Sequence, residues 1–486
     1  MPEAIIIGAG IAGIASAIRL AVKGYSITVF EANEYAGGKL SEIENSGFRF
    51  DSGPSLFTMP QYMDELFTLA GKNPADYFCY QKLDEVCRYY YEDGTRITAW
   101  ADKDKFASEI EEKTADNSSS VLQYLERSAK IYEITNHIFL EKSLHKISGY
   151  LNLKTLKSIF QFPRIDPFRT MNEANSDQFR DSKTIRLFNR YATYNGSDPY
   201  QAPATLNIIP HLEEHFGAFF PKGGMINITK SLVQLAVDLG VKFNFNSRVD
   251  KIVCKGKKIQ GVEVNNRFHK ADLVVSNMDV WFTYKQLLKN ETPPPKILNQ
   301  ERSSSALIFY WGIKREFLEL GLHTIFFSED YKKEFEHIWK QNDIADDTTV
   351  YLNISSKFNP KDAPEGCENW FVMINVPSNK GQDWDALIAK ARKNILKKLS
   401  VNLDADIESL IVCENILDPR SIESKTSSYQ GSLYGTSSNN RFAAFLRHAN
   451  FSSKVKGLYF AGGSVHPGGG IPLALLSAKI VADMIK

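Results

Sequence analysis

The stretch AIIIGAGIAGIASAIRLAVKG, residues 4–24, constrains the fold of this chain more than any other feature. Residues 4–7 are a short apolar run, typical of a buried parallel strand, and they lead directly into Gly8, Gly10 and Gly13. Apolar residues then recur at helical spacing, so the pattern predicts strand, glycine turn and helix. In such a unit Gly8 permits the tight turn, Gly10 lets the backbone approach a pyrophosphate, and Gly13 lets the helix pack on the strand.

The residues after this unit favour a dinucleotide over an ordinary βαβ turn, in which glycines at this spacing also occur. The next predicted strand, 26–30, ends at Glu31, where a carboxylate can accept hydrogen bonds from both ribose hydroxyls of an adenosine. A second glycine pair with a cation (GGK, 37–39) and FDSGPS (50–55) follow. An extended FAD needs additional phosphate contacts of this kind, whereas an NAD domain does not.

Composition narrows the class of protein. The chain has 486 residues, 43% hydrophobic, with 58 basic and 57 acidic side chains, so it predicts two packed domains and no nucleic-acid surface. Five scattered cysteines without a CxxC pair argue against a disulfide framework, a zinc site or a redox dithiol. The first strand begins near residue 4 and no long apolar run exists, so we expect a cytoplasmic protein without a leader or a spanning helix.

The changing character of the sequence predicts two discontinuous domains. Glycine-rich βαβ-like patterns occupy 1–72, 211–290 and 413–486, which we assign to a dinucleotide-binding domain. A helical section at 73–210 and alternating strand patterns at 291–412 are assigned to a second domain. The predicted fold class is α/β, α+β when the whole chain is counted: a Rossmann-type domain carrying an inserted, mixed sheet-and-helix domain.

Residues 139–162 (FLEKSLHKISGYLNLKTLKSIFQF) alternate leucines and isoleucines with lysines. A basic amphipathic segment of this kind can lie in a lipid interface, with lysines near anionic head groups. The other interpretation is a helix whose apolar face packs on the core while its lysines are solvated. The sequence leaves both open.

The C-terminal stretch GLYFAGGSVHPGGGIP, 457–472, predicts a second glycine-lined helix start. A strand ends in glycines, Pro472 is suited to the first turn of a helix, and 473–485 is predicted as the final helix. Free N–H groups at such a start suit the electron-rich edge of a flavin, its N1 and C2=O. The alternative is an ordinary glycine-rich cap.

These motifs together resemble one family. GAGIAG with Glu31 and GGKL, FDSGPS, RYATYNGSDPYQAP, FFPKGGM and above all GLYFAGGSVHPGGGIPLALLSAK resemble the bacterial phytoene-desaturase family of FAD-dependent carotenoid desaturases, nearly end to end. PSLFTMPQYMDELF, FLEKSLHKISGYL and HTIFFSEDY are most similar to its flavobacterial hydroxycarotenoid 3,4-desaturases.

The resemblance implies a Rossmann-type FAD domain of the glutathione-reductase and amine-oxidase superfamily, with FAD bound non-covalently. Lys39 stands where the family often has arginine, and lysine cannot make the bidentate fork to phosphate. Val249 is expected to contact the adenine through its backbone. Ser464 stands where many such flavoenzymes have aspartate, so no carboxylate contact to the ribityl chain is expected. The implied cofactor-binding residues are Gly8, Gly10, Ile11, Ala12, Gly13, Glu31, Ala32, Gly37, Gly38, Lys39, Leu40, Gly53, Pro54, Ser55, Val249, Gly463, Ser464, Gly470, Ile471, Pro472 and Ala474.

The implied chemistry is the introduction of a C=C bond into a linear polyene by hydride transfer to flavin N5, with the protein orienting the substrate. His466, Asp181 and Arg190 are candidate catalytic residues. The resemblance also implies a long tunnel for the carotenoid chain, which Arg190 and Tyr194 could line. No metal site is expected. A carotenoid substrate partitions into the bilayer, so the implied enzyme is peripherally bound to the cytoplasmic membrane, docked through 139–162. The implied electron acceptor is dioxygen or a quinone.

Several alternatives stay open from the sequence. A phytoene desaturase would act on another bond of a related substrate. A carotenoid cis–trans isomerase or retinoid saturase would use reduced flavin, and an amine oxidase of the same superfamily would act on a small polar amine. A flavin-bound carotenoid carrier would not turn over at all.

Overall fold

The computed structural model describes residues 1–136, 140–145, 165–289, 291, 293–440 and 443–485. The strands are β1 (Glu3–Ile7), β2 (Ser26–Phe30), β3 (Glu42–Asn45), β4 (Phe48–Asp51), β5 (Phe57–Thr58), β6 (Tyr80–Lys82), β7 (Glu85–Tyr90), β8 (Arg96–Trp100), β9 (Ala218–Pro221), β10 (Lys242–Asn244), β11 (Val249–Lys255), β12 (Lys258–Val264), β13 (Arg267–Lys270), β14 (Leu273–Ser276), β15 (Ser305–Ile313), β16 (His323–Phe326), β17 (Val350–Ile354), β18 (Glu368–Val376), β19 (Ile411–Leu417) and β20 (Leu458–Phe460). The α-helices are α1 (Ile11–Val22), α2 (Gln61–Leu69), α3 (Lys103–Lys113), α4 (Ser118–Thr135), α5 (Met171–Gln178), α6 (Ser182–Asn189), α7 (Ile209–Glu214), α8 (Ile226–Asp238), α9 (Val280–Phe282), α10 (Pro295–Leu298), α11 (Tyr331–Glu336), α12 (Trp384–Leu403), α13 (Ile407–Leu410), α14 (Pro419–Thr426), α15 (Ala443–Leu446) and α16 (Ile471–Met484).

A parallel five-stranded sheet forms the first layer, in the order β10-β2-β1-β14-β20. Ile5, Ile6 and Ile7 of β1 are all buried, as expected for a central strand that is covered on both faces. Helices α1, α8 and α16 pack together on one face, and the antiparallel strands β11–β13 contribute to the core on the other. This is the Rossmann-type arrangement that the glycine pattern predicts, with three separated stretches of chain meeting in one sheet.

A seven-stranded sheet forms the second layer, in the order β19-β15-β18-β17-β16-β7-β8. Its neighbours are antiparallel, except that β16 and β7 run parallel. The predicted strands in this part of the chain are found, including the hairpin around Asp93 and Gly94. Strand β19 (Ile411–Leu417) pairs with β15, so the predicted domain boundary between 412 and 413 falls inside a strand of this sheet.

Two observations concern contact with a membrane. No helix in the part of the chain that the structure describes combines the length and apolarity needed to cross a bilayer. Most of the amphipathic stretch 139–162 lies outside the described residues, apart from 140–145, so its predicted conformation stays a prediction.

Candidate active site

One continuous cavity of about 1620 Å³ is lined by residues of both sheets. We call its wall at the glycine turns (8–12, 37–40, 53–55 and 463–474) the cofactor half, and its wall on the seven-stranded sheet the substrate half. Of the predicted cofactor residues, these line the cavity: Gly8, Gly10, Ile11, Ala12, Glu31, Ala32, Gly37, Gly38, Lys39, Leu40, Gly53, Pro54, Ser55, Val249, Gly463, Ser464, Gly470, Ile471, Pro472 and Ala474. Gly13 lies behind this wall.

The first glycine turn brings backbone, with no side chain, to the cavity. Gly8 has a φ of +93° and donates its N–H to Phe30 O at 2.8 Å. A Cβ on Gly13 would lie 2.1 Å from Gly8 O, and one on Gly10 would lie 2.5 Å from Asn277 Oδ1. Helix α1 therefore begins directly at the end of β1, and only glycine fits at these positions.

Glu31 lies at the end of β2 and is 6% exposed. Its Oε2 accepts the N–H of Ala9 at 2.7 Å, and its Oε1 accepts the N–H of Asn33 at 2.9 Å. These bonds fix the carboxylate, while each oxygen keeps a further lone pair. The geometry is suited to two ribose hydroxyls at the adenosine end of a dinucleotide.

The second glycine turn is joined to the first. Gly37 donates its N–H to Ala9 O at 2.8 Å, and a Cβ on Gly37 would lie 2.2 Å from Leu40 O. A Cβ on Gly53 would lie 1.8 Å from Lys39 O. Residues 37–40 and 53 therefore form a close-packed backbone surface beside the helix start.

The C-terminal turn supplies the second helix start. Gly470, with a φ of +102°, precedes α16, and no atom lies within 4 Å of the place where its Cβ would be. Ser464 Oγ accepts the N–H of Val280 at 3.0 Å, and Asn277 Nδ2 donates to Ala461 O at 2.8 Å. These two bonds tie the C-terminal turn to the chain that follows β14, so both helix starts face one cavity.

The residues present fit FAD. Two helix starts free of side chains, a fixed carboxylate and a second glycine turn are the donor and acceptor set that an extended dinucleotide requires. The cavity also exceeds the 300–1,000 Å³ or so that a single drug-sized ligand occupies, which leaves room for a second, long ligand.

Three cations surround residues 432–436, which form part of the cavity wall. Lys39 Nζ donates to Ser432 O at 3.0 Å and to Leu433 O at 2.8 Å. Arg302 donates to Ser432 Oγ at 3.1 Å and pairs with Asp279. The guanidinium of Arg447 donates to four neutral oxygens, namely Tyr434 O, Thr436 O, Gly463 O and Asn195 Oδ1.

The electrostatics of this wall favour an electron-rich ligand. Desolvation lowers the pKa of Lys39 to about 8; Asp279 opposes that shift and Arg302 adds to it. Desolvation, with repulsion from Arg302, lowers the pKa of Arg447 to about 10. Positive charge that is costly to bury is stabilised by a negative or electron-rich group beside it. A phosphate contact of Lys39 stays a prediction.

Side chains build the substrate half. Alternate residues of β15, β16 and β18 point to the cavity, because successive side chains of a strand lie on opposite faces. Burial raises the pKa of the Cys87 thiol on β7 to about 12, so this cysteine stays protonated. The lining side chains on or beside the sheet are Val86, Cys87, Ala306, Ile308, His323, Ile325, Thr349, Tyr351, Phe371, Met373, Asn375 and Leu417.

Arg190, a catalytic candidate, lines the cavity and is held by a buried cluster. Its Nη2 donates to Glu213 Oε1 at 3.1 Å, and its guanidinium lies 4.2 Å from the ring centroid of Tyr191. Tyr191 and Tyr194 both donate their hydroxyls to Glu213 at 2.7 Å. The ion pair and the two tyrosines therefore fix one another at the edge of the cavity.

The other two candidates are placed differently. His466 lines the cavity and is 2% exposed; its Nε2 donates to Lys142 O at 2.8 Å. The lone pair is then on Nδ1, which is buried without a partner among the described residues, and burial lowers the pKa to about 4. Asp181 lies outside the cavity wall, where it caps α6 by accepting the N–H of Lys183 at 2.8 Å. The structure does not bring Asp181 together with the other candidates.

Sequence reasoning missed several residues of the site. Asp279, Arg302 and Arg447 are far apart in sequence and lie in no glycine motif. The same is true of His323 and Tyr351 on the seven-stranded sheet. The position of Asp279, just after a predicted strand of the parallel sheet, was one signal. His323 is the first residue of the HTIFFSEDY motif, but the motif alone assigned it no role.

Comparison with known proteins agrees with this geometry. Residues 11–486 match the family described as flavin containing amine oxidoreductase. The chain is 52% identical, over 100% of its length and 99% of the relative, to a 1-hydroxycarotenoid 3,4-desaturase from Flavobacterium sp. (strain P99-3). It is 34% identical, over 99% and 97%, to a 4,4'-diapolycopene oxygenase from Methylomonas sp..

Solved structures share the fold. A cyclohexylamine oxidase from Brevibacterium oxydans IH-35A covers 100% of this chain and 98% of its own, with a TM-score of 0.63 at 15% identity. A putrescine oxidase bound to putrescine covers the same shares, with a TM-score of 0.64 at 15% identity. The predicted fold and the predicted resemblance to carotenoid desaturases are confirmed. The chain belongs to the flavin containing amine oxidoreductase family, and its relatives above 30% identity include carotenoid desaturases.

Proposed function

We propose that this protein is an FAD-dependent carotenoid desaturase and, more specifically, a 1-hydroxycarotenoid 3,4-desaturase. The observation that carries the proposal is the continuous cavity of about 1620 Å³, which joins a wall suited to a dinucleotide to a largely apolar sheet face. Identity of 52% over the full chain to an enzyme of that name supports the specific substrate. The polar amine of an amine oxidase would suit this apolar wall less well.

FAD, when bound in the cofactor half, supplies the hydride acceptor for the oxidation of a carbon–carbon single bond. Glu31 and the first helix start would hold the adenosine and pyrophosphate, and the turn at 463–474 would hold the ring. We propose that the cofactor is bound non-covalently. Of the cysteines, Cys87 lines the cavity, and its raised pKa of about 12 keeps it a poor nucleophile.

The chain's own residues orient the substrate and receive a proton. The sheet face around Ile308 and Phe371 excludes water and holds an extended hydrocarbon in line with the cofactor half. Desaturation also removes a proton from the neighbouring carbon. We assign its acceptance to Nδ1 of His466, because a carbon next to a developing polyene cation is acidic enough for a weak base.

We also propose contact with a membrane surface. Leu140, Leu144 and Ile165 flank residues 146–164 and line the cavity, and Phe168 is 72% exposed beside the cavity-lining Pro167. An exposed aromatic residue next to a residue that lines a hydrophobic cavity suits entry of a substrate from lipid. A lipophilic electron acceptor such as a quinone could arrive by the same route, with dioxygen as the other acceptor.

Expression in bacterial cells that make defined carotenoids tests the proposal. We expect a product two hydrogens lighter from a 1-hydroxylated substrate, with its absorbance shifted to longer wavelength, and no change in phytoene. If phytoene alone were desaturated, phytoene would replace the 1-hydroxylated polyene as the assigned substrate. If the pigment were isomerised with unchanged mass, isomerisation would replace desaturation as the assigned reaction.

A further inference from the structure

A chain of polar side chains crosses the apolar sheet face of the substrate half. Ser55 Oγ and Tyr351 OH are 2.7 Å apart, and Tyr351 OH is 2.7 Å from Nδ1 of His323. Asn353 Nδ2 lies 3.2 Å from the same Nδ1. Ser55, Tyr351 and His323 all line the cavity, and His323 is 4% exposed.

The contacts show which group donates and which accepts in each of these hydrogen bonds. Asn353 Nδ2 also donates to Leu322 O at 3.0 Å, so this atom is the amide nitrogen and can only donate. Nδ1 of His323 is therefore the acceptor, and the proton of the neutral imidazole is on Nε2. Tyr351 then donates to His323, and Ser55 donates to Tyr351.

This series of hydrogen-bonded side chains ends in the Nε2–H donor of His323. His323 Nε2 is buried and has no hydrogen-bond partner among the described residues. Burial, with the positive charge of Arg190, lowers the pKa of His323 to about 3, so the ring stays neutral at physiological pH. A buried donor without an acceptor costs free energy, and a ligand oxygen would remove that cost.

The chemistry of the proposed substrate supplies such an oxygen. In a 1-hydroxylated polyene the carbon that bears the hydroxyl is two bonds from the nearer carbon of the 3,4 bond. The group that recognises it must therefore lie next to the cofactor half. Ser55, where the polar chain begins, directly follows Gly53 and Pro54 of that wall, and Gly53 packs against Lys39 O. A largely apolar wall with a neutral donor also suits an alcohol better than a charged group.

We propose that Nε2–H of His323, oriented by Tyr351, Asn353 and Ser55, binds the hydroxyl oxygen of a monohydroxylated polyene and so selects it over the unhydroxylated compound. This assignment rests on the proposed function. His323 is the binding residue, and Tyr351, Asn353 and Ser55 are positioning residues that set its tautomer and orientation.

The test compares two substrates that differ by one hydroxyl group. We expect His323→Phe to lower the ratio of kcat/KM for the 1-hydroxylated polyene to that for the unhydroxylated polyene by about 10- to 100-fold. The loss should fall on the hydroxylated substrate alone. His323→Gln, which restores an N–H near the position of Nε2, should recover part of the preference, and Tyr351→Phe should show a smaller loss.

Tyr90→Phe is the matched control for Tyr351→Phe. Tyr90 is buried on the same sheet, and its hydroxyl donates to Glu319 O at 2.7 Å, outside the residues that line the cavity. It should leave the substrate ratio unchanged. Equal ratios in the wild type and His323→Phe would overturn the assignment.

Measurements of polyene binding distinguish a failure of this inference from a failure of the proposed function. Binding of the hydroxylated polyene to flavin-free protein, followed by the polyene absorption band, should weaken about 10-fold or more in His323→Phe. Flavin absorbance of the holoprotein should not change. A wild type that binds the polyene through His323 but never desaturates it would refute the proposed function alone. Binding that is indifferent to His323→Phe would refute the hydroxyl site whatever the activity.

Discussion

The two halves of the cavity are built in opposite ways. The cofactor half is mostly backbone: glycines at turns, helix starts and a few fixed polar groups such as Glu31. The substrate half consists mostly of side chains, because alternate residues of the seven-stranded sheet point into the cavity and set the shape of this wall. At Gly10, Gly37 and Gly53 the backbone wall has no space for an added Cβ, whereas a side-chain wall can change its shape and polarity with each substitution. One half therefore suits a constant cofactor, and the other suits a substrate that differs among relatives.

The largest expected effect is damage to the backbone wall by a single methyl group. Gly13→Ala would place Cβ 2.1 Å from Gly8 O, so we expect about 10-fold or greater loss of flavin affinity, or failure to fold. Gly24→Ala at the other end of α1 is the control, since its Cβ meets nothing within 4 Å and only its φ of +87° is strained. Flavin absorbance per purified protein measures both. A Gly13→Ala protein with full flavin would contradict the close packing.

The next effect should be confined to the side-chain wall. Ile308→Trp would fill part of the cavity and displace the polyene, lowering kcat/KM by about 100-fold, with the flavin content of the wild type. Val412→Trp, at a position of the same sheet that is 49% exposed, is the control and should leave activity unchanged. Loss of flavin in Ile308→Trp would show that the two halves are not independent.

The same contrast explains what the sequence could predict. The glycine turns are local, so their spacing predicted both helix starts, and the family resemblance added residues such as Gly470 and Ser464, which line the cavity. The substrate wall is assembled by strand pairing: His323 and Tyr351 meet only because β16 pairs with β17. Nothing in the local pattern of either strand marks that contact. The buried cations also depend on long-range packing, since Arg302 and Arg447 meet at residues 432–436 only in the folded chain.

A smaller effect should appear in the pH dependence of stability. The pKa of Lys39 is lowered from 10.5 to about 8 in the folded protein, so between these values the unfolded chain binds more protons. Stability of the flavin-free protein should therefore rise with pH, by about 1–2 kcal/mol between pH 8 and about pH 9.5. Lys39→Met should remove this part of the slope in urea unfolding. An identical slope in the variant would mean that the ammonium group is not desolvated.

The smallest effect tests a residue outside both halves. Asp181 accepts the N–H groups of Lys183 and Ala115, so Asp181→Ala should cost about 1 kcal/mol of unfolding free energy through loss of the helix cap. Asp181→Asn keeps one acceptor oxygen for the N–H of Lys183 but loses the bond from Ala115, so its stability should lie between those of Asp181→Ala and the wild type. Because the carboxylate lies outside the cavity wall, kcat/KM for the polyene should be unchanged in both variants. A fall in turnover of the folded Asp181→Asn protein would restore Asp181 to the proton path, because the amide keeps the bond from Lys183 but cannot accept a proton.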